Sequence, residues 1–191
     1  MTTLLLPGLF GSDDGHWQRY WLAERPESLI VEQEDWNHPR LQPWLFRLEE
    51  ALESAGSAYI VAHSLGCLIT AHLAERPAAR RVRGALLVAP CDLPATEKLH
   101  PGHIGFSTMP TARLPFPTMV IGSLNDHYMS LERLTFFARL WGGELRNIGL
   151  AGHINKASGF GRWPSGYSFL EKLKCRPRPR PRLAASPAVF L

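Results

Sequence analysis

Short apolar runs alternate along the chain with longer segments in which apolar residues recur at helical spacing. Runs that contain almost only aliphatic residues are typical of strands buried on both faces of a parallel sheet. The strands predicted in this way are Leu4–Leu6, Leu29–Glu32, Ala58–Ala62, Gly84–Ala89, Pro117–Gly122 and Glu144–Ile148. Because strands alternate with helices, the pattern predicts a three-layer α/β/α fold with a mainly parallel six-stranded sheet.

The predicted helices carry their apolar residues on one face. In the second of them, Trp44, Leu45, Leu48 and Leu52 follow the i, i+3, i+4 spacing of an amphipathic helix. The predicted helices are His16–Glu24, Leu41–Ser54, Leu65–Glu75, Leu131–Trp141 and Tyr167–Leu173. The stretch Cys91–Phe116 has little periodicity and several prolines and glycines, which predicts a long loop with short helical turns.

Length and composition indicate one globular domain followed by a tail. The chain has 191 residues, of which 45% are hydrophobic and 20% charged, enough for one sizeable core. The predicted domain spans residues 1–173. Residues 174–191 begin with alternating arginine and proline and continue with small residues. Such a segment buries little apolar surface, and we expect it to be disordered or polyproline-like.

The basic character of the chain belongs to this tail. The formal net charge is +4, which is less than the five positive charges contributed by residues 174–182. The rest of the chain is therefore near neutral, and we do not expect a nucleic-acid partner. The tail has the charge to contact an acidic partner, although a solvated extension is the favoured interpretation.

Cysteine usage and the amino terminus add two expectations. The three cysteines are odd in number and lack the spacing of a metal site or a disulfide framework, and Cys67 and Cys91 stand in apolar surroundings typical of a core. The first residues lack the basic region of a signal peptide, and no run approaches the length of about 18 apolar residues that spans a membrane. We expect a cytoplasmic protein.

The first chemical motif is a serine held between a predicted strand and a predicted helix. Ser64 follows the apolar run Tyr59–Ala62 and is flanked two residues away by Ala62 and Gly66. This is the nucleophile elbow G-x-S-x-G with alanine in the first position, where small neighbours allow a sharp turn. The alternative is a serine that caps an ordinary helix.

A base and a carboxylate stand downstream in the order expected for acyl transfer by serine. Asp126 follows the fifth predicted strand and His153 follows the sixth. Because parallel strands end at one edge of the sheet, both loops can reach Ser64. Asp92 is the alternative acid. His63 is a less natural base, because neighbouring side chains of a strand point to opposite faces.

The remaining candidates surround this edge of the sheet. The backbone amide of Leu65 and that of Leu9 or Phe10, in the first loop, would form an oxyanion hole. The candidate pocket residues are His16, Trp36 and Trp163, with packing roles as the alternative for each, and the 92–116 loop would cover them. His100 and His103 have no acidic residue at ligand spacing, so we expect no metal site.

Taken together, these motifs resemble one family over about Leu4–Leu173. It comprises the small serine hydrolases grouped with retinoblastoma-binding protein 9, a compact branch of the α/β-hydrolase superfamily. The matching segments are Pro7-Gly8 with His16-Trp17, Trp36…Pro39…Trp44, Ala62–Gly66, Ser123–Asp126, Gly152–Asn155 and Ser158–Gly166. Alanine at position 62, where the superfamily has glycine, is a departure that the turn tolerates.

The resemblance implies a fold without a large lid and hydrolysis of small esters or amides without a cofactor. It also implies roles for three residues: Ser64 as nucleophile, His153 as base and Asp126 as orienting acid. The alternative function is a partner-binding protein on the same scaffold. The presence of all three residue types in the expected order favours the enzyme, while a protein partner stays open alongside catalysis.

Overall fold

The computed structural model describes residues 1–177, and in this range six parallel strands form one sheet in the order β2-β1-β3-β4-β5-β6. The strands are β1 (Thr3–Leu6), β2 (Ser28–Ile30), β3 (Ala58–His63), β4 (Val82–Val88), β5 (Thr118–Gly122) and β6 (Glu144–Asn147). The α/β fold with a parallel six-stranded sheet is confirmed. The order of the strands reverses at β1 and β3, where an open α/β sheet forms its crevice.

Helices cover both faces of the sheet. They are α1 (Trp17–Glu24), α2 (Leu41–Ser54), α3 (Leu65–His72), α4 (Leu93–Leu99), α5 (Leu131–Trp141) and α6 (Pro164–Lys174). Residues of α2, α3 and α5 pack in one core cluster, and residues of α1 and α6 pack in a second cluster on the opposite face. The three layers expected from the sequence are therefore present.

The central strands are mostly apolar because each face of the sheet has its own core. In β1, Leu4 and Leu6 belong to the first cluster and Leu5 to the second. In β3, Ile60 belongs to the first cluster and Val61 to the second. Successive side chains of a strand point to opposite faces, so a strand covered on both sides is apolar at most of its positions.

The stretch predicted as a long loop with short helical turns contains a two-turn helix, α4. Its Pro94 stands in the first turn, where a helix needs no backbone N–H donor. Leu93 and Thr96 are buried against the core, while the other positions are more exposed, so the apolar periodicity is too short to predict the helix. Packing rather than sequence pattern sets this element.

Several element boundaries differ from the prediction by one to three residues, among them those of β2, α3 and α6. Strand β2 begins one residue earlier and ends two residues earlier than Leu29–Glu32. Helix α6 begins at Pro164, three residues before Tyr167, and ends at Lys174, one residue beyond the predicted domain. The Arg176 guanidinium pairs with the carboxylate of Glu144 in β6. The rest of the predicted tail, residues 178–191, lies outside the described residues.

None of the helices between residues 1 and 177 has the length and apolar character that crossing a membrane requires.

Candidate active site

Ser64 stands in a strained turn between β3 and α3. Its φ of 53° and ψ of −120° lie in a region that residues with a side chain rarely adopt. Although Ser64 is the N-cap residue of α3, its side chain makes no capping hydrogen bond. The alternative of an ordinary helix-capping serine is therefore wrong, and the hydroxyl is directed elsewhere.

Two glycines make room for this turn. A Cβ atom added to Gly66 would lie 2.6 Å from the carbonyl oxygen of Pro7 and also overlap the carbonyl of Leu6. A Cβ atom added to Gly8 would lie 2.7 Å from Cβ of Ser64. The loop after β1 and the start of α3 thus approach each other closely, as a nucleophile elbow requires.

The hydroxyl of Ser64 meets the side chain of His153. His153 Nε2 lies 2.8 Å from Ser64 Oγ, and its Nδ1 lies 2.9 and 3.0 Å from the two carboxylate oxygens of Asp126. All three side chains are nearly removed from water: Ser64 and His153 are each 7% exposed, and the Asp126 side chain is 4% exposed. The structure brings together the three residues that the sequence singled out.

The loops that carry Asp126 and His153 are fixed by short hydrogen bonds. The amide of Tyr128 donates to Asp126 Oδ1 at 2.9 Å, and the amide of His153 donates to Ser158 Oγ at 3.1 Å. The amide of Gly152 donates to Asn125 Oδ1 at 2.8 Å. These contacts hold the imidazole and the carboxylate in register, which catalysis by such a pair demands.

An aromatic contact that the sequence did not reveal also fixes His153. The ring of Tyr128 packs on the imidazole with 4.0 Å between the centroids. The Tyr128 hydroxyl is 2.8 Å from His100 Nε2, so the tyrosine joins the 92–116 stretch to the histidine. The only sequence signal was the position of Tyr128 two residues after Asp126.

Asp92, the alternative acid, has a different partner. Its carboxylate receives two hydrogen bonds from the Arg133 guanidinium of α5, at 2.6 and 2.7 Å. This ion pair links the N-cap residue of α4 to α5. Asp126 is therefore the carboxylate that meets His153.

Two further histidines lie beside the triad. His63 Nε2 is 2.9 Å from the backbone carbonyl of His153 and must donate to it, because a carbonyl only accepts. His16 Nδ1 accepts a 3.2 Å hydrogen bond from the amide of Gln18 at the start of α1. Burial lowers the pKa of His63 well below its usual value. Burial also lowers the pKa of His16 to about 4, outweighing the opposite effect of Asp13.

The two candidate amides of the first loop differ in whether they already donate a backbone hydrogen bond. The Phe10 amide donates a 2.8 Å hydrogen bond to the carbonyl of Trp36, so it is already occupied. The Leu9 amide donates no hydrogen bond to a backbone carbonyl within residues 1–177. Leu65 is the first residue of α3, where backbone N–H groups have no partner within the helix. Of the two candidate loop amides, only that of Leu9 is without a backbone partner in the described residues.

A cleft of about 520 Å³ opens above Ser64. It is bounded by the first loop, the Tyr128 ring and the 155–157 segment, and α4 supplies Thr96 to its wall. Of the predicted pocket residues, His16 lines this cleft. The structure places the other two, Trp36 and Trp163, outside its lining.

The two tryptophans pack against the cores instead, with Trp36 half-buried against the first cluster and Trp163 buried in the second. The Trp36 ring lies behind Gly11 and contacts Trp44 edge-on, with 5.4 Å between the centroids. Trp163 is 6% exposed and packs against Trp17 in the second core cluster. Their assignment to the pocket was wrong because the sequence does not show on which side of a loop an aromatic ring is buried.

Among residues 1–177, no three or more histidine, cysteine, aspartate or glutamate side chains are grouped so that they could hold a metal ion. Cys67 and Cys91 are buried free thiols, and burial raises the pKa of Cys91 to about 12. A thiol with this pKa stays protonated and is a poor nucleophile near neutral pH.

Comparison with known proteins agrees with this geometry. The profile of a family described as serine hydrolase matches residues 3–172. The crystal structure of a protein from Pectobacterium atrosepticum described as a YdeN-like hydrolase is 31% identical, with 91% of this chain and 90% of that chain covered and a TM-score of 0.79. A comparison with curated proteins gave no match.

More distant structures share the fold. The ydeN gene product from B. subtilis is 21% identical, with 92% of this chain and 99% of that chain covered and a TM-score of 0.69. The Bacillus cereus carboxylesterase is 16% identical, with 90% and 88% covered and a TM-score of 0.56. With the family profile matched over nearly the whole described region, the chain belongs to the serine hydrolase family of retinoblastoma-binding protein 9 and the YdeN-like proteins, within the α/β-hydrolase superfamily.

Proposed function

We propose that this protein hydrolyses small carboxylic esters through an acyl-enzyme formed on Ser64, with amides as the second substrate class. The observation that carries the proposal is the unbroken hydrogen-bond chain from Ser64 Oγ through His153 to Asp126. A serine hydroxyl is a weak nucleophile, and a base at 2.8 Å that is itself oriented by a carboxylate is the arrangement that activates it.

The proton movements follow from the atoms in contact. His153 Nε2 takes the proton of Ser64 as Oγ attacks the substrate carbonyl, and Asp126 stabilises the imidazolium through Nδ1–H. The same nitrogen then returns the proton to the departing alcohol, which leaves the acyl group on Ser64. A water molecule, deprotonated by His153, attacks this acyl-enzyme and releases the carboxylic acid.

The charge that develops on the carbonyl oxygen needs donors that are already in place. The amides of Leu65 and Leu9 fulfil this role in the proposal, since the Phe10 amide is engaged with Trp36. Each such donor typically contributes about 10²–10³-fold in rate. The close approach of Gly8 to Ser64 brings the first loop within range of the same oxygen.

The size of the cleft favours a small substrate. Its volume of about 520 Å³ lies in the lower half of the range for small-molecule sites. Leu9, Phe10 and Tyr128 supply apolar surface for a short acyl group. Esters rank before amides because several proteins of the same fold are described as esterases or carboxylesterases.

The proposal is tested by hydrolysis of p-nitrophenyl acetate and butyrate. We expect Ser64→Ala to lower kcat by at least about 10⁴-fold, and His153→Ala to lower it comparably, because the triad acts as a unit. Ser168→Ala, which changes an exposed serine of α6, is the matched control and should hydrolyse both esters at the wild-type rate. Wild-type turnover by folded Ser64→Ala protein would contradict the proposal.

A further inference from the structure

Two histidines that the triad does not use form one wall of the cleft. The rings of His16 and His63 lie edge-on with 4.9 Å between their centroids, and the His63 ring lies another 4.9 Å from that of His153. His16 and His63 both line the cleft, yet each is only 5% exposed. Two buried imidazoles thus face the substrate space beside the base.

Their hydrogen bonds fix the tautomer of each ring. His16 Nδ1 accepts from the Gln18 amide, so in the neutral ring the proton sits on Nε2. His63 Nε2 donates to the His153 carbonyl, so in the neutral ring Nδ1 carries no proton. Burial keeps both rings neutral near pH 7. His16 is therefore left with a free donor and His63 with a free acceptor.

Neither of these two nitrogen atoms has a hydrogen-bond partner among residues 1–177. Neither of them is completely buried. Both nitrogens therefore keep some exposed surface, and both belong to residues that line the cleft. Polar atoms of nearly buried side chains are normally satisfied, so this donor and acceptor are expected to meet a ligand or water.

We propose that His16 and His63 form a subsite for a hydroxyl group of the substrate, which accepts a hydrogen bond from His16 Nε2 and donates one to His63 Nδ1. A hydroxyl is the smallest group that does both at one atom. A carboxylate has no proton to donate, and an ammonium group has no lone pair to accept.

The subsite lies close to the reacting atoms, because His63 directly precedes Ser64 and its ring neighbours that of His153. The hydroxyl therefore belongs a few bonds from the scissile carbonyl. It can come from the acyl part or from the alcohol part of the ester, and the two sources need separate substrates. This inference rests on the proposed function and names the substrate class of the same site.

Two substitutions at His16 separate the donor from the helix cap. His16→Asn keeps a capping oxygen for the Gln18 amide but removes the donor that reaches the cleft, since asparagine is a good N-cap residue. His16→Gln places an amide N–H near the position of Nε2 but weakens the cap. A purely structural role of His16 predicts the larger effect in His16→Gln, and the proposed subsite predicts it in His16→Asn.

The measurement is the ratio of kcat/KM between each hydroxylated ester and the ester in which a methyl group replaces the hydroxyl. The acyl arm compares p-nitrophenyl lactate with isobutyrate and β-hydroxybutyrate with β-methylbutyrate. The alcohol arm compares hydroxyethyl acetate with propyl acetate. We expect a preference for the hydroxylated member in at least one pair, which falls by about 3- to 10-fold in His16→Asn and is largely kept in His16→Gln.

The experiment distinguishes failure of the hydroxyl subsite from failure of the proposed function. Hydrolysis of both members of every pair with equal kcat/KM would overturn the subsite and leave the hydrolase intact. A preference that His16→Asn does not change would overturn it as well, as would an absence of turnover of all these esters by protein whose Ser64 reacts with a fluorophosphonate. If Ser64 does not react at all, the proposed function and the subsite fall together.

Discussion

The backbone amide of Phe10 donates a 2.8 Å hydrogen bond to the carbonyl of Trp36. This bond ties the first loop to the segment that follows β2 and holds Phe10 at a φ of 66°. It also takes the Phe10 amide away from the cleft, while the neighbouring amide of Leu9 stays without a backbone partner in the described part of the chain. One contact thereby distinguishes the two loop amides that are candidates for the proposed oxyanion hole.

The first prediction concerns these two neighbouring amides. Replacing the amide at Leu9 by a backbone ester removes one N–H without changing a side chain, and we expect kcat for an aryl ester to fall by about 10²–10³-fold. The same replacement at Phe10 removes only the bond to Trp36 and should lower kcat much less. A larger loss of kcat at Phe10 than at Leu9 would contradict the proposal that the Leu9 amide binds the oxyanion.

The second prediction separates the two candidate acids. Asp126→Asn leaves the shape of the site but no longer stabilises the imidazolium of His153, so kcat should fall by about 10³–10⁴-fold. Asp92→Asn weakens the pair with Arg133, whose side chain is 48% exposed, and we expect a loss of about 1–2 kcal/mol in the free energy of unfolding. Steady-state kinetics and urea denaturation of both variants provide the comparison, and reversed effects would contradict the assignment.

The features that follow from the order and burial of the strands could be predicted from the sequence. Ser64, Asp126 and His153 each follow a predicted strand, and parallel strands bring such positions to one edge whatever the details of packing. The structure does bring the three side chains into contact, while their catalytic roles are a proposal. The strand pattern was likewise strong because both faces of the sheet are buried.

The parts that the sequence did not give are set by tertiary contacts of loops. Helix α4 shows too short a periodicity, and Trp36 and Trp163 turn toward the cores rather than the cleft. The packing of Tyr128 against His153 depends on how the 126–128 turn folds, which no local pattern reveals. The choice between Leu9 and Phe10 needed the hydrogen bond to Trp36.

A third prediction concerns the space beneath the elbow. Gly66→Ala would push Cβ into the backbone carbonyls of Leu6 and Pro7, which cannot move without disturbing β1. We expect the free energy of unfolding to fall by about 3 kcal/mol. The control is Gly161→Ala, whose Cβ would meet the Gly15 carbonyl at an ordinary 3.4 Å. Equal stability of the two variants in urea denaturation would contradict the close approach.

The fourth prediction is a loss of stability in mild acid that depends on buried histidines. Burial lowers the pKa of His16 from 6.5 to about 4, so between these values the unfolded chain binds a proton that the folded chain does not. Stability from this residue is complete above pH 6.5 and is lost as the pH falls toward 4. Because of this residue, the free energy of unfolding should fall by about 2 kcal/mol between pH 7 and pH 5.

Urea denaturation at pH 7, 6 and 5 checks this effect. His16→Asn removes the titrating group but keeps the cap, so its free energy of unfolding should fall less steeply between pH 7 and 5 than that of the wild type. His63, whose pKa burial also lowers, continues to contribute in the variant. Parallel pH dependences of the two proteins would show that His16 is not held in the neutral form by the fold.

The most direct test of the central claim is to locate the residue that a fluorophosphonate probe modifies, by tandem mass spectrometry of the labelled wild-type protein. The account predicts a single adduct on Ser64, formed much more slowly in His153→Ala because the base at 2.8 Å is gone. An adduct on another residue, or no adduct on folded wild-type protein, would contradict the claim that Ser64 is an activated nucleophile.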